Sequence, residues 1–492
     1  MIRSFSARRR TLFSVLLVGY LVVFLLFVTS CSASGTSASD TPQEEEAESA
    51  TNQPNIIFIL TDDLDYASAQ KMPNLRSLLL DEGASFENAF ISQSLCCPSR
   101  ATILTGLYAH NHNVKGNRPP DGGFEKFRDE GLEEKTIAVR LQEAGYRTAL
   151  FGKYLNGYPG DDPTHVPPGW DEWYGELENY EPYDYQINEY GEVVSYGSTT
   201  EDFFTDILSG EATNFVRSTA TNSQPFFLYM APTAPHEPAI PADRHKGAFA
   251  DETAPRPPSF NEEDVSDKPS WIRESESLSN EEISEIDNFY QMRLESTLAV
   301  DEMVASLVEE LKDAGKLENT FIFFTSDNGF LQGEHRLNKQ KDRPYEESAH
   351  VPLFVRGPGI PAGSNVQRLV LNTDFAPTFA DLAGGTLDLS ADGRSFKPLL
   401  YGEDPASWRS AVLLEGFVGK GARAYEAVRT ATHKYVEYKN GEKELYDLET
   451  DPYELESLHE SADPSLIEDL KTKLDALRSC SEEGCREAED AP

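Results

Sequence analysis

The sequence predicts an α/β protein: a doubly wound, mostly parallel sheet followed by a smaller C-terminal antiparallel α+β subdomain. Three observations carry this prediction. Unbroken apolar runs, the mark of strands buried on both faces, recur at residues 55–60, 225–230, 321–326 and 351–355. Helical periodicity separates them, at residues 133–144 and over the long stretch 281–314. From residue 387 onward the texture changes to short strand patterns between Gly and Asn turns.

In chain order, Arg3 and Arg8-Arg9-Arg10 precede an apolar run at residues 12–28, the charged and hydrophobic regions of an export signal. Val28-Thr29-Ser30-Cys31 resembles a bacterial lipoprotein cleavage box. Residues 1–30 are therefore expected to be a lipoprotein signal peptide, with the Cys31 thiol lipidated and the protein held on the outer side of a membrane. An uncleaved anchor helix is the alternative. Residues 31–53, rich in Ser, Thr, Ala and Glu, bury too little to fold and read as a flexible acidic tether. Residues 54–386 then suffice for one large catalytic domain and residues 387–492 for the α+β annex.

The first buried strand ends in Thr61-Asp62-Asp63, and the run at 321–326 ends in Asp327-Asn328-Gly329. Doubly wound sheets bind ligands beyond the carboxyl ends of their strands, where both acidic pairs fall. Asp62, Asp63, Asp327 and Asn328 are hard oxygen donors suited to Ca2+ or Mg2+, although Asp-Asp after a strand also serves as a helix cap. In the annex, residues 410–415, 424–430, 434–438 and 444–448 read as strands and 464–478 as a helix. Cys480 and Cys485 are spaced for a local disulfide in an oxidising compartment.

Cys96-Cys97-Pro98-Ser99-Arg100 is the most informative string. Pro98 suits the first turn of a helix, and residues 100–107 continue one, so Cys96 is expected at a helix N-terminus. Free N–H groups there favour an anion and predict a lowered thiol pKa. Arg100, one turn on, is placed to neutralise an oxyanion. Adjacent cysteines also occur as small buried hydrophobes or as half of a metal site.

The pattern Cys-x-Pro-Ser-Arg-Ala-x-x-x-Thr-Gly resembles the signature of type I sulfatases. Leu95-Cys96-Cys97-Pro98-Ser99-Arg100, with Gly106-Leu107-Tyr108-Ala109-His110-Asn111-His112-Asn113-Val114, is most similar to the N-acetylglucosamine-6-sulfatases and is shared with extracellular heparan endosulfatases. The resemblance, strong over residues 54–384 and looser over 445–458, implies an alkaline-phosphatase-like fold. It implies that a formylglycine-generating enzyme oxidises Cys96 to Cα-formylglycine (3-oxoalanine), while Cys97 remains a thiol. It assigns a cation, Ca2+ rather than Mg2+, to Asp62, Asp63, Asp327, Asn328 and the modified residue 96. Lys153 in Phe151-Gly152-Lys153-Tyr154 and Lys341, four residues before Tyr345-Glu346, match the lysines that grip sulfate, with Lys339 a rival for Lys341. His236, in Ala234-Pro235-His236-Glu237-Pro238, matches the general acid that protonates the leaving oxygen. The chain departs from many sulfatases after Lys153: they have a histidine two residues on, whereas this chain has Asn156 three residues on, in the Lys-Tyr-Leu-Asn string that the glucosamine-6-sulfatases share, and Asn156 cannot act as a base at neutral pH. His110, His112 and His335 are then candidates for the second-step base, each with a structural reading beside it.

The implied activity is hydrolysis of a sulfuric ester on a sulfated sugar, 6-O-sulfated N-acetylglucosamine first. A sulfatase of another substrate class (an aryl or other carbohydrate sulfate), phosphonate or phosphodiester hydrolysis on the same fold, and a non-catalytic, glycan-binding surface lipoprotein are the alternatives. The charge bears on substrate. Asp plus Glu number 84 against 43 Lys plus Arg, and removing the four leader arginines takes the formal charge from −41 to −45. That excludes nucleic acid as a partner and opposes attraction of highly sulfated polymers, so a small, sparsely sulfated sugar is expected. Solubility or adaptation to salt also accounts for the acidity. Residues 170–190 and 254–271, rich in aromatic residues and proline, are expected either to line a sugar pocket or to pack on their own domain.

Overall fold

The apolar run at residues 55–60 becomes strand β1 (Asn55–Thr61), buried along its whole length. Its side chains alternate between two cores, Ile56, Phe58 and Leu60 on one face and Ile57 and Ile59 on the other, as the two-residue period of a strand requires. The computed structural model describes residues 53–177, 180–385, 387, 389–417 and 422–491. The expected signal peptide, Cys31 and the tether up to residue 52 lie outside them. Among the described residues no helix is long and apolar enough to cross a membrane.

Nine further strands complete the sheet: β2 (Ala84–Phe86), β3 (Arg147–Gly152), β4 (Glu172–Glu176), β5 (Gln186–Glu189), β6 (Glu192–Ser195), β7 (Phe226–Ala231), β8 (Thr320–Ser326), β9 (Leu353–Arg356) and β10 (Ser364–Val366). Their order is β10-β2-β9-β8-β1-β7-β3-β4-β5-β6. The central block β8-β1-β7-β3-β4 is parallel throughout, β9 is antiparallel to both its neighbours, and β4-β5-β6 is an antiparallel meander. Helices α1 (Cys96–Thr105), α2 (Ile137–Glu143) and α5 (Phe375–Leu382) cover the Phe58 face, while α3 (Phe204–Thr219) and α4 (Asn280–Asp313) cover the Ile57 face. Such double cover is what buries both sides of a parallel sheet. A capping box of Ser279 and Glu282 starts the long α4 and satisfies its first free N–H groups.

Strands β11 (Ala411–Gly416), β12 (Tyr425–Thr430), β13 (His433–Tyr438) and β14 (Lys443–Asp447) form the second sheet, antiparallel and in chain order. Helix α6 (Pro464–Leu477) packs on it through Leu470, Leu474 and Leu477. The Cys480–Cys485 disulfide leads into α7 (Glu483–Asp490). The expected boundary between residues 386 and 387 does not fall at a break in packing. Phe396, Leu399 and Leu400 belong to the core of the large sheet, the small sheet shares its core with Phe90, Tyr108 and Leu371, and the described residues form one compact unit. Buried Arg409 sits at this junction, 2.6 Å from both oxygens of Asp374 and 3.1 Å from Glu489.

Candidate active site

Five strand ends and one helix start converge. Thr61 of β1 stands in register with Ser326 of β8, which sets Asp62 beside Asp327. The Asp327 N–H donates to the Thr61 carbonyl (3.1 Å) and the Asp63 N–H to Asp327 Oδ1 (3.2 Å). Asp63 adopts φ +67°, a left-handed turn that Asp tolerates better than most residues. Arg293 of α4 holds that turn, donating to the Asp63 carbonyl (2.6 Å) and to Asp65 (3.0 Å). Lys153 follows β3, His236 follows β7, and Glu176 ends β4. Cys96 is the first residue of α1, which Gly106 ends in the left-handed conformation at φ +74°.

Cys96 Sγ lies 3.4 Å from Asp62 Oδ1 and 2.8 Å from Lys341 Nζ. One ligand atom from each of Asp62, Asp63, Cys96 and Asp327 falls within 4.8 Å of the others, and all four residues are buried. Lys153 pairs with Asp62 and Lys341 with Asp63. Arg100 donates to Asp327 Oδ2 (2.8 Å) and to the Lys153 carbonyl (2.8 Å), with Nη2 3.7 Å from Asp62. It therefore faces the carboxylates, and its Nη2 has no hydrogen-bond partner. Asn328 gives its Nδ2 to Asp63 Oδ1 (2.7 Å) and to the Gly329 carbonyl (2.8 Å), which leaves its buried Oδ1 without a partner. Three carboxylates and an unengaged amide oxygen fit a hard divalent cation. His236 donates from Nδ1 to the Glu237 carbonyl (2.6 Å), and its Nε2 is 3.9 Å from Asp63 Oδ2.

The charges set one another. Burial is the largest influence on Asp62 and opposes its ionisation, but the surrounding cations, Lys153 foremost with Arg100 and Lys341, together outweigh it and hold the carboxyl well below the usual range. Asp63 is lowered in the same way: burial is the largest single influence, and the neighbouring positive groups, Lys341 foremost by charge and hydrogen bond, together overcome it. Asp327 goes up, because burial and the Asp62 charge together outweigh Arg100. For Cys96 the expectation of a lowered thiol pKa is corrected: burial first, and the Asp62 carboxylate next, push it well above the ordinary thiol value. The helix N-terminus is there, yet desolvation beside an anion is the larger effect.

Lys339 turns away to Glu237 (2.8 Å), which leaves Lys341 as the lysine at Cys96. Asn156 donates to Tyr180 Oη (3.1 Å), and the Tyr180 ring lies 4.5 Å from Lys153 Nζ. Three histidines are engaged elsewhere: His110 with Glu415 and the Cys480 carbonyl, His112 with Thr102 and the Val114 N–H, and His335 with Glu262. None of these partners belongs to the cluster at Cys96. From the segment 170–190, Trp170 and Trp173 pack into the core while Tyr180 reaches Lys153. Two residues of this surround carry no motif: Tyr180, and Glu176, which accepts the Tyr180 N–H (3.0 Å) and is pushed up to about 8 by burial.

Three buried carboxylates and an amide as oxygen donors, with two lysines and a cysteine at a helix start beside them, make a constellation whose groups suit the hydrolysis of anionic esters. The sulfatase family model matches residues 54–385, and that of the N-sulphoglucosamine sulphohydrolase C-terminal region matches residues 333–480. The chain belongs to the sulfatase family and is a sulfatase enzyme. It is 34% identical to the N-acetylglucosamine-6-sulfatases of Capra hircus and Homo sapiens, over 89% of this chain and 86% of each relative. A solved structure of a protein in complex with its substrate D-glucosamine-2-N,6-O-disulfate matches with a TM-score of 0.74 at 26% identity, covering 89% of this chain and 99% of that one.

Proposed function

We propose that this sulfatase removes 6-O-sulfate from N-acetylglucosamine, or a closely related glucosamine, of a glycan. The observation that carries the reading is the place of Cys96, among Asp62, Asp63 and Asp327 and 2.8 Å from Lys341 Nζ. The kinship with N-acetylglucosamine-6-sulfatases over most of the chain supports the substrate. In this reading a formylglycine-generating enzyme converts Cys96 to Cα-formylglycine, whose hydrate supplies an oxygen nucleophile where a buried thiol stands. Asp62, Asp63, Asp327 and Asn328 would hold Ca2+, which polarises sulfate oxygens.

The side chains divide the remaining work. Lys153 and Lys341 grip the sulfate and stabilise the charge that grows as the S–O bond breaks. Arg100 holds Asp327 and Asp62 in place. His236, its ring fixed through Nδ1 on the Glu237 carbonyl, gives a proton from Nε2 to the departing alcohol. Neutral after that step, it also serves as the base that lets sulfate leave. Lipidation at Cys31 and display outside the cell belong to the same reading, and loss of acyl labelling in Cys31→Ser tests them.

The decisive experiment weighs the tryptic peptide containing residue 96, from protein made in its native host, and assays sulfate release from 6-O-sulfated N-acetylglucosamine, its 3-O-sulfated isomer and N-sulfated glucosamine. The expected peptide is lighter than the thiol form by about 18 Da, with release confined to the 6-O-sulfate. A modified peptide without 6-O release would move the substrate to another sulfate ester. An unmodified thiol throughout would sink the nucleophile assignment.

A further inference from the structure

A second buried polar cluster joins the loop that carries Lys341 to the C-terminal sheet. His335 and Glu347 bracket that loop, and Glu454 follows β14. One potential ligand atom from each lies within 4.8 Å of the others. His335 is fully buried, its ring stacked on Tyr345 with centroids 4.1 Å apart. Its Nδ1 is 2.7 Å from Glu262 Oε2, while its Nε2 has no hydrogen-bond partner. The carboxylate accepts from Nδ1–H and so leaves the lone pair on Nε2, the arrangement that supports a metal-ligating imidazole. Glu347 Oε2 is likewise buried without a partner.

The charges here do not balance. Lys434 pairs with Glu454 (2.7 Å) and Glu346 (2.8 Å), Arg429 also takes Glu346 (3.1 Å), and Lys268 takes Glu262 (3.2 Å). Neither Glu347 nor neighbouring Glu334 has an ion-pair partner among the described residues. With its Nδ1–H given to Glu262, the His335 imidazole offers Nε2 as a free lone pair, the form that binds metal.

We propose that His335, Glu347 and Glu454 form a second divalent-cation site, of the Zn2+ class, sharing no residue with the cluster at Cys96. One imidazole with two carboxylates suits zinc better than calcium, which takes an all-oxygen shell. Glu454 accepts one hydrogen bond at each oxygen, from Lys434 and from the Glu346 N–H, and keeps a lone pair on each for a metal. A cation there links both ends of the loop 335–347 to the C-terminal sheet and so steadies the approach of Lys341 to Asp63.

The test uses full-length protein stripped of metal, refilled with excess Ca2+ and titrated with Zn2+. Metal analysis should find about one zinc per chain retained beside calcium, and X-ray absorption should show nitrogen and oxygen ligands without sulfur. Zinc should also raise the melting temperature. His335→Gln and the near-isosteric Glu347→Gln should each lose the zinc while keeping calcium and the native circular dichroism. The second variant keeps the test decisive should the first fail to fold. Sulfur in the zinc shell would place the ion at a cysteine, away from His335, Glu347 and Glu454, and overturn the proposal. So would zinc at background in the wild type, or zinc unchanged in a folded variant.

Discussion

Replacing Lys153 with Met removes one cation from the site and little else. The side chain is buried against Asp62, and the backbone carbonyl that anchors Arg100 is retained. A unit charge about 4 Å from its partner is worth about 4 kcal/mol at an effective dielectric near 20. Losing one preorganised oxyanion donor costs a similar amount, about 3–4 kcal/mol or 10²–10³ in kcat. The substitution also strips Asp62 of the charge that most lowers its pKa, but Arg100 Nη2 remains 3.7 Å away. A carboxylate released from a lysine is, moreover, freer to bind a cation. Activity should therefore fall while metal is retained. Steady-state kinetics on Lys153→Met, with formylglycine and calcium content measured on the same sample, should show kcat/KM down by about 10³. A loss under about tenfold at wild-type formylglycine and calcium would refute the contact between this lysine and the sulfate.

Three further outcomes follow from buried groups outside the chemistry. Burial pushes the Cys97 thiol up to about 12, so iodoacetamide at about pH 8 should leave it unmodified in folded protein and alkylate it in guanidine; peptide mapping reads both. Arg409→Met leaves Asp374 and Glu489 without their shared cation and should cost about 3–5 kcal/mol, seen as a lower denaturant midpoint at unchanged slope. Burial is the largest influence on His110 and opposes its protonation, but the hydrogen bond and charge of Glu415, with the Cys480 carbonyl and Asp392, together outweigh it and raise the pKa. Its contribution is then complete below the unfolded value near 6.5 and is lost as pH rises through the folded one. The gap in melting temperature between wild type and His110→Gln should be largest near about pH 5.5 and shrink toward about pH 9.

The centre of the fold was legible because β1, β7 and β8 are buried on both faces and therefore read as unbroken apolar runs. β4, β5 and β6 were not. They run out toward one edge of the sheet, which β6 forms, and residues such as Gln186 of β5 and Glu192 of β6 meet solvent and dilute the pattern. The antiparallel direction of β9 is likewise a tertiary fact, set by its pairing with β2 and β8. In the site, the motif residues were recognisable, whereas Tyr180 and Glu176 arrive through β3–β4 pairing that sets Gly152 opposite Gly175. The Cys96 thiol was misjudged for the same reason. Its helix start is local in sequence, but the carboxylate beside it stands 34 residues earlier.

The charge of the site bears on what the enzyme can draw from solution. Arg100, Lys153 and Lys341 face Asp62, Asp63 and Asp327, so these groups cancel, and a divalent cation would leave the site positive inside a chain of formal charge −41. Attraction for sulfate is then short-ranged, while the field farther out repels anions. Salt separates the two, because the Debye length falls from about 30 Å at 0.01 M to about 8 Å at 0.15 M. Over that range kcat/KM for a highly sulfated oligosaccharide should rise several-fold, and that for a monosulfated monosaccharide should change little or fall slightly. A fall with salt for the oligosaccharide would mean that a basic track guides polymers into the site, and the preference for small, sparsely sulfated sugars would then be wrong.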